Sequence, residues 1–154
     1  MSKIKTLPAL KKILAALRKQ RKRIVFTNGC FDLLHKGHVE YLKKARQIGD
    51  LLVVGLNSDA SVRRLKGQRR PLTKQSDRAA VLAALESVDF VTIFNEDTPL
   101  RVIKEIRPDV LVKGADWNKN KVVGKDIVDS YGGTVKLVKF LKGYSTTKIL
   151  EKIK

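Results

Sequence analysis

The sequence predicts an α/β fold in which a doubly wound parallel sheet of five strands carries helices on both faces. Five short apolar segments rich in Val, Ile and Leu are each bounded by turn residues, as strands are. Between them lie segments whose apolar residues recur at helical spacing. Strands that alternate with helices run parallel, and right-handed crossovers bury the sheet on both faces. The strands are predicted at residues 23–29, 50–59, 89–94, 109–114 and 134–140.

The chain has 154 residues, and this length predicts one domain over residues 1–154. Residues 1–22 contain a leading amphipathic helix, introduced by Thr6 and Pro8. No apolar run approaches eighteen residues, and lysines and arginines interrupt the N-terminal segment, so we expect no membrane partner and a cytoplasmic location. Cys30 is the single cysteine, which excludes an intrachain disulfide and fits a reducing compartment.

The helices that follow are placed by caps, glycines and prolines. The first begins near Lys36 or Gly37 and ends at Gly49. A loop rich in basic residues follows the second strand, and Ser76 is the expected cap of the next helix. A further helix is expected between Thr98, its cap, and Pro108, with Pro99 at the first helical position. Two more are expected at residues 125–133, closed by glycines, and at residues 145–153, with a serine or threonine cap.

The formal charge of +18 raises the question of nucleic-acid binding, since clustered Lys and Arg neutralise phosphates. Dense runs occur at residues 18–23 and 63–70, but the other basic residues are dispersed. The aromatic residues, one Trp, three Tyr and five Phe, do not interleave with the basic runs as a surface for stacked bases requires. A nucleic-acid-binding module therefore stays an alternative from a different class. A solvated basic surface with a site for an anionic ligand is favoured.

The two histidines of the chain, His35 and His38, stand three residues apart after the first strand. Ligands of open parallel sheets bind beyond the carboxyl ends of the strands, and a helix that starts there directs free N–H groups at an anion. Gly37 lets the backbone approach a phosphate, and the two imidazoles can stabilise charge on a phosphoryl group. A paired metal site and two incidental surface histidines are the alternatives. The G-x-G-x-x-G and G-x-x-x-x-G-K-[ST] signatures are both missing.

Two stretches carry a resemblance. "NGCFDLLHKGH" (28–38) and "GYSTTKI" (143–149) resemble the HxGH nucleotidyltransferase superfamily, the cytidylyltransferase-like group related in fold to class I aminoacyl-tRNA synthetases. The similarity runs from about Arg23 to the end of the chain. It implies a Rossmann-like sheet in the strand order 3-2-1-4-5, with the nucleotide cleft between strands one and four.

Within the superfamily, "VKGADWNKNKVVG" (112–124) and "GGTV" (132–135) look most like the branch that makes ADP-heptose. The resemblance implies transfer of AMP from ATP to D-glycero-β-D-manno-heptose 1-phosphate for lipopolysaccharide core synthesis, with Mg²⁺ held mainly by phosphates and no protein metal ligand. It also implies a stand-alone enzyme whose sugar 1-phosphate comes from a separate heptose kinase, and a homodimer or larger assembly. A glycerol-3-phosphate or related cytidylyltransferase is the rival, weakened because Phe140 stands where CTP-using relatives have arginine.

Roles follow from the matched motifs. The residues expected to act on the phosphates during catalysis are His35, His38 and Lys66. The neighbouring arginines Arg63, Arg64, Arg69 and Arg70 are alternatives to Lys66. Asp32 and Arg78 match positions near the acceptor phosphate, and Trp117 either packs on a ligand or covers the core. The nucleotide is expected against Thr27, Asn28, Gly29, Cys30, Phe31, Gly37, Lys113, Gly114, Asp116, Ser145, Thr146 and Thr147, with Cys30 as a small packing residue.

Overall fold

The computed structural model describes residues 2–153 and contains a five-stranded sheet in the order β3-β2-β1-β4-β5. Every adjacent pair of strands is parallel, which confirms the predicted α/β fold and strand order. The order reverses direction at β1, so a crevice opens between the carboxyl ends of β1 and β4. The strands are β1 (Ile24–Gly29), β2 (Leu51–Asn57), β3 (Phe90–Phe94), β4 (Val110–Gly114) and β5 (Thr134–Val138).

Seven α-helices accompany these strands within residues 2–153. A short 3₁₀ turn, Lys119–Lys121, follows β4. None of the helices in this part of the chain is long and apolar enough to cross a bilayer. The helices are α1 (Leu7–Lys19), α2 (Lys36–Arg46), α3 (Asp59–Lys66), α4 (Gln75–Ala83), α5 (Leu100–Ile106), α6 (Lys125–Ser130) and α7 (Thr146–Ile153).

The sheet separates two apolar clusters. On one face, α1 buries Leu10 and Leu14 completely, next to residues of α5 and α6. On the other face, α2 contributes Leu42 and Ala45, and α4 contributes Leu82. Both faces of the sheet are therefore covered, as a doubly wound fold requires. The helix in the leading segment is part of the first cluster, and Thr6 accepts a hydrogen bond from the Ala9 N–H at its start.

The structure corrects one predicted loop. Residues after β2 form helix α3, where a basic loop was expected. Ser58 caps this helix by accepting a hydrogen bond from the Ser61 N–H at 3.1 Å, and Asp59 lies in the first turn, where a carboxylate is favourable. Only Ser61 and Val62 are buried, so the apolar periodicity of α3 was too weak to predict a helix.

Three helix ends also differ from the prediction. Helix α4 begins at Gln75 with Lys74 at its N-cap, so Ser76 lies inside the helix and caps nothing. Helix α5 begins at Leu100 and Pro99 occupies the N-cap position, one residue later than expected. Helix α2 ends at Arg46, before Gly49. Differences of this size are usual, because helix ends depend on local hydrogen bonds that spacing alone does not reveal.

Candidate active site

A cleft of about 590 Å³ opens at the carboxyl ends of β1 and β4. Its volume lies within the usual range for small-ligand sites. Residues that the sequence placed far apart meet here: the end of β1, the start of α2, the end of α3, the end of β4 and the start of α7. The predicted residues that line it are Asn28, Gly29, Cys30, Phe31, Asp32, His38, Lys66, Lys113, Gly114, Asp116 and Thr146. The predicted residues that do not line it are Thr27, His35, Gly37, Arg78, Ser145 and Thr147.

His35 and His38 stack on each other at the start of α2. Their ring centroids are 3.9 Å apart, with an angle of 27° between the planes. His35 is the N-cap residue of the helix, and its backbone N–H donates to Nδ1 of His38 at 3.4 Å. Phe31 packs against the other side of His38, with centroids 5.3 Å apart. The helix start thus fixes the orientation of both imidazoles.

Both imidazoles are neutral at pH 7. Burial, together with the neighbouring His35 and the charge of Lys66, lowers the pKa of His38 to about 4. Burial also lowers the pKa of His35. Because Nδ1 of His38 accepts a hydrogen bond, its proton resides on Nε2. His38 is therefore a neutral hydrogen-bond donor at the cleft, backed by the free N–H groups at the start of α2.

Two lysines supply positive charge from opposite sides of the cleft. Lys66 ends α3 on one side, and Lys113 lies near the end of β4 on the other. Burial lowers the pKa of Lys113, while Cys30 and Asp116 act to raise it. The Lys113 ammonium also lies 5.1 Å from the centre of the Trp117 ring, within the range of a cation–π contact. An anionic ligand in the cleft would meet a cation from each wall.

An aromatic pair closes the floor of the cleft. The rings of Tyr41 and Phe140 stack with centroids 4.5 Å apart and planes 15° apart. A Cβ at Gly114 would collide with the Phe140 ring, so the ring can lie this close to the backbone only because residue 114 is glycine. The Tyr41 hydroxyl donates to Oγ1 of Thr27, which in turn donates to the Val112 carbonyl at 3.0 Å. Thr27 is therefore fully buried and supports the aromatic pair from behind, outside the cleft.

The closing segment, residues 139–147, leads from β5 into α7. Ser145 caps α7 by accepting a hydrogen bond from the Lys148 N–H at 3.0 Å. Thr146 lines the cleft, and its hydroxyl lies 3.4 Å from the Leu33 carbonyl. Thr147 is exposed beside it. Of the three predicted hydroxyl residues, only Thr146 reaches the cleft in this arrangement.

Asp32 is buried and its carboxylate is fully used within the protein. It accepts hydrogen bonds from the Leu72 N–H at 2.8 Å, the Thr73 N–H at 3.0 Å and Nε of Arg70 at 2.8 Å. Burial acts to raise the pKa of Asp32, but these hydrogen bonds outweigh it and lower the pKa overall. The Asp32 carboxylate holds residues 70–73 against the β1–α2 turn, although its edge reaches the cleft.

Arg78 is buried more completely. Its guanidinium donates to the carbonyls of Cys30 at 2.7 Å, Asn57 at 2.8 Å and Thr73 at 3.0 Å, and it pairs with Asp59 at 2.8 Å. Arg78 ties together the turns that follow β1 and β2. The structure therefore does not bring its guanidinium into the cleft beside the histidines.

The sequence interpretation missed several cleft residues. Tyr41 and Phe140 line the cleft with Asn57, Leu65, Val122 and Val123. Only a weak indication in the sequence pointed to Tyr41, which falls on the buried face of α2. For Phe140 the only indication was that CTP-using relatives have arginine at this position. Their contact joins α2 to the chain beyond β5, and helical spacing does not reveal such a pairing. Within residues 2–153, no group of three or more His, Cys, Asp or Glu side chains is placed to hold a metal ion.

Comparison with known proteins agrees with this geometry. The chain is 64% identical over 153 residues to the bifunctional protein HldE of Geotalea uraniireducens and 61% identical over 152 residues to that of Geobacter sulfurreducens. Each alignment covers 99% of this chain but only 31% of the relative. The crystal structure of a lipopolysaccharide core biosynthesis protein from Thermoplasma volcanium matches with a TM-score of 0.65 and 31% identity, covering 80% of this chain and 99% of that one.

A pantoate–β-alanine ligase from Francisella tularensis shares the fold at 17% identity, with a TM-score of 0.66 over 97% of this chain and 76% of that one. The family model described as cytidylyltransferase-like matches residues 26–152, which is most of the chain. The match begins in β1 and ends in α7, so it contains the histidine pair, both lysines and the closing segment. The chain belongs to the cytidylyltransferase-like family of nucleotidyltransferases.

Proposed function

We propose that this domain transfers AMP from ATP to D-glycero-β-D-manno-heptose 1-phosphate, giving ADP-heptose and pyrophosphate. One observation carries the proposal: His38, stacked on His35 at a helix start, lines a cleft with a lysine on each wall. The identity to HldE proteins supports the choice of this branch. A kinase that phosphorylates the sugar must supply the acceptor, on the same or another polypeptide.

The chemistry is an in-line displacement at the α-phosphorus of ATP. An oxygen of the sugar phosphate attacks this phosphorus, the bond to the α,β-bridging oxygen breaks, and its electron pair leaves with pyrophosphate. Catalysis of this kind depends mainly on positioning and charge stabilisation. Nε2–H of His38 and the free N–H groups of α2 would donate to oxygens whose charge grows in the transition state. Lys66 and Lys113 would neutralise the triphosphate from the two walls.

Magnesium fits the donor set of the cleft only as an ion held mainly by phosphates. Mg²⁺ commonly retains waters and takes one or two carboxylates, and Asp116 is a carboxylate that lines the cleft. When bound, the ion screens charge on the phosphates. The protein's own contribution is to orient the nucleotide between α2 and β4.

The preference for adenine is supported by the floor of the cleft. Phe140 stacks on Tyr41 and covers Gly114, so the position at which CTP-using relatives carry a cation is apolar here. An apolar floor can receive adenine without unpaired charge, whereas a cytosine-selective site needs partners for the base's polar edge. The basic surface also leaves the nucleic-acid alternative open to a direct test, in which DNA binding would weaken steeply with salt.

The test is pyrophosphate release from a panel of nucleoside triphosphates paired with heptose 1-phosphate, glucose 1-phosphate and glycerol 3-phosphate. We expect the highest kcat/KM for ATP with β-heptose 1-phosphate. A preference of tenfold or more for CTP would assign the chain to the cytidylyltransferase branch. Salt-sensitive DNA binding without any nucleotide affinity would overturn the enzymatic proposal. Cytoplasmic location and self-association stay predictions, measurable by fractionation and by sedimentation.

A further inference from the structure

The two histidines belong to a longer column of four rings. Phe31 packs on His38, His38 stacks on His35, and the ring of Tyr144 stacks on His35. The His35 and Tyr144 centroids are 6.3 Å apart and their planes differ by 23°. Tyr144 comes from the closing segment, far from His35 in sequence. The outermost ring of the column is therefore supplied by a different element from the three rings that it covers.

The backbone beneath the column leaves His35 little freedom. A Cβ at Gly37 would lie 2.9 Å from Nδ1 and Cε1 of His35 and 3.0 Å from Cβ of Tyr144. The absence of a side chain at Gly37 is what lets Tyr144 and His35 meet over the helix start. Nδ1 of His35 is buried and has no hydrogen-bond partner among residues 2–153. The ring contacts with His38 and Tyr144 therefore contribute to the orientation of the His35 ring.

We propose that Tyr144 is a positioning residue for the histidine pair: its ring holds His35 against His38 when the closing segment lies over the start of α2. This inference rests on the proposed function, since it assigns His35 and His38 to phosphate chemistry. Tyr144 is 45% exposed, so its ring makes only a small contribution to the core.

Titratable neighbours of the histidine pair come from α2, α3 and the closing segment. His38 faces His35 from the same helix, Tyr144 faces it from the closing segment, and Lys66 at the end of α3 acts on His38. Removal of the Tyr144 ring should expose His35 to water, so its pKa should rise toward the ordinary value. A phenylalanine should preserve the contact, because the ring and not the hydroxyl packs on His35.

The experiment compares Tyr144→Ala and Tyr144→Phe with Ile153→Ala, a control on α7 whose residue is 74% exposed. The chain has only two histidines, so NMR titration of the imidazole Cε1–H signals reports each one separately. We expect the pKa of His35 to rise in Tyr144→Ala and stay unchanged in Tyr144→Phe and Ile153→Ala. We also expect kcat to fall about ten- to a hundredfold in Tyr144→Ala, with wild-type turnover in the other two.

The outcomes separate the two proposals. If Tyr144→Ala leaves both histidine titrations and kcat unchanged while its melting temperature matches the wild type, the positioning role is wrong. A fall in melting temperature that Tyr144→Phe shares, with unchanged titrations, would also overturn it, because the role would then be structural. An absence of nucleotidyl transfer in the wild type, with a shifted His35 titration in Tyr144→Ala, would overturn the proposed function and keep the contact.

Discussion

Two pairs of polar residues next to the cleft were both predicted as functional from the same motif match, and the structure uses them differently. Within residues 2–153, Nδ1 of His35 and Nε2 of His38 have no hydrogen-bond partner. The side chains of Asp32 and Arg78, in contrast, form hydrogen bonds within the protein, to backbone groups and to Arg70 and Asp59 respectively. A buried polar side chain whose partners are all internal fixes the turns, whereas one with a free donor at a cleft can meet a ligand.

The largest expected effect is on stability, at Arg78. We expect Arg78→Ala to lower the free energy of unfolding by about 3–5 kcal/mol, because Asp59 and the carbonyls of Cys30 and Asn57 would lose their buried partner. Urea unfolding followed by circular dichroism measures it. Arg101→Ala is the matched control, since its ion pairs with Glu96 and Glu105 are exposed and should contribute little.

The opposite outcome for Arg78→Ala would place Arg78 with the ligand-binding residues. If Arg78→Ala unfolded like the wild type and instead raised KM for the sugar phosphate alone, Arg78 would bind the acceptor as the motif match predicts. Its burial in the ligand-free protein would then describe only one of its arrangements.

The next effect is on turnover, at the histidines. We expect His38→Ala and His35→Ala each to lower kcat by about two to three orders of magnitude, the loss typical of one preorganised transition-state donor. Their unfolding curves should stay close to that of the wild type. If both rings act on the same phosphate charge, as proposed, the double variant should lose less than the product of the single losses.

Single-turnover assays with saturating ATP measure this effect, and Lys43→Ala, an exposed residue of the same helix, is the control. Near-normal kcat in either single variant would remove that histidine from the mechanism.

Sequence reasoning reached the parallel sheet and the histidine pair because both depend on short-range patterns, whereas the strand order followed from the family resemblance. The apolar strands, the glycine at the end of β1 and the spacing of His35 and His38 are all read from short stretches of sequence. It did not reach the partners of Asp32 and Arg78, which come from turns that follow different strands. Nor did it reach the contact of Tyr144 with His35, since no periodic pattern connects α2 with the closing segment.

A smaller effect is expected at Asp32. Asp32→Asn keeps the shape of the side chain but removes the charge that accepts hydrogen bonds from Arg70 and two backbone N–H groups. We expect a loss of about 1–3 kcal/mol in the free energy of unfolding, as for other buried hydrogen-bonded groups. Asp129→Asn, an exposed residue paired with Lys125, is the control. A kcat loss comparable to that of His38→Ala, without any change in stability, would move Asp32 into the catalytic machinery.

The last effect is the smallest near neutral pH and grows on acidification, and it distinguishes His38 from Asp32 by the pH at which each destabilises the fold. The pKa of folded His38 is about 4, below its ordinary value of 6.5, so between these values the unfolded chain binds a proton that the folded protein does not. Stability from this group is complete above pH 6.5 and is lost as the pH falls toward 4, by at most about 1.4 kcal/mol per pH unit. The pKa of folded Asp32 is also lowered, but from 3.8, so its contribution is lost only at still lower pH.

Urea titrations from pH 7 to 3 measure how the free energy of unfolding depends on pH. We expect His38→Gln to weaken this dependence in the upper part of the range and Asp32→Asn to weaken it in the lower part. Parallel profiles for His38→Gln and the wild type would mean that His38 is not buried in its neutral form.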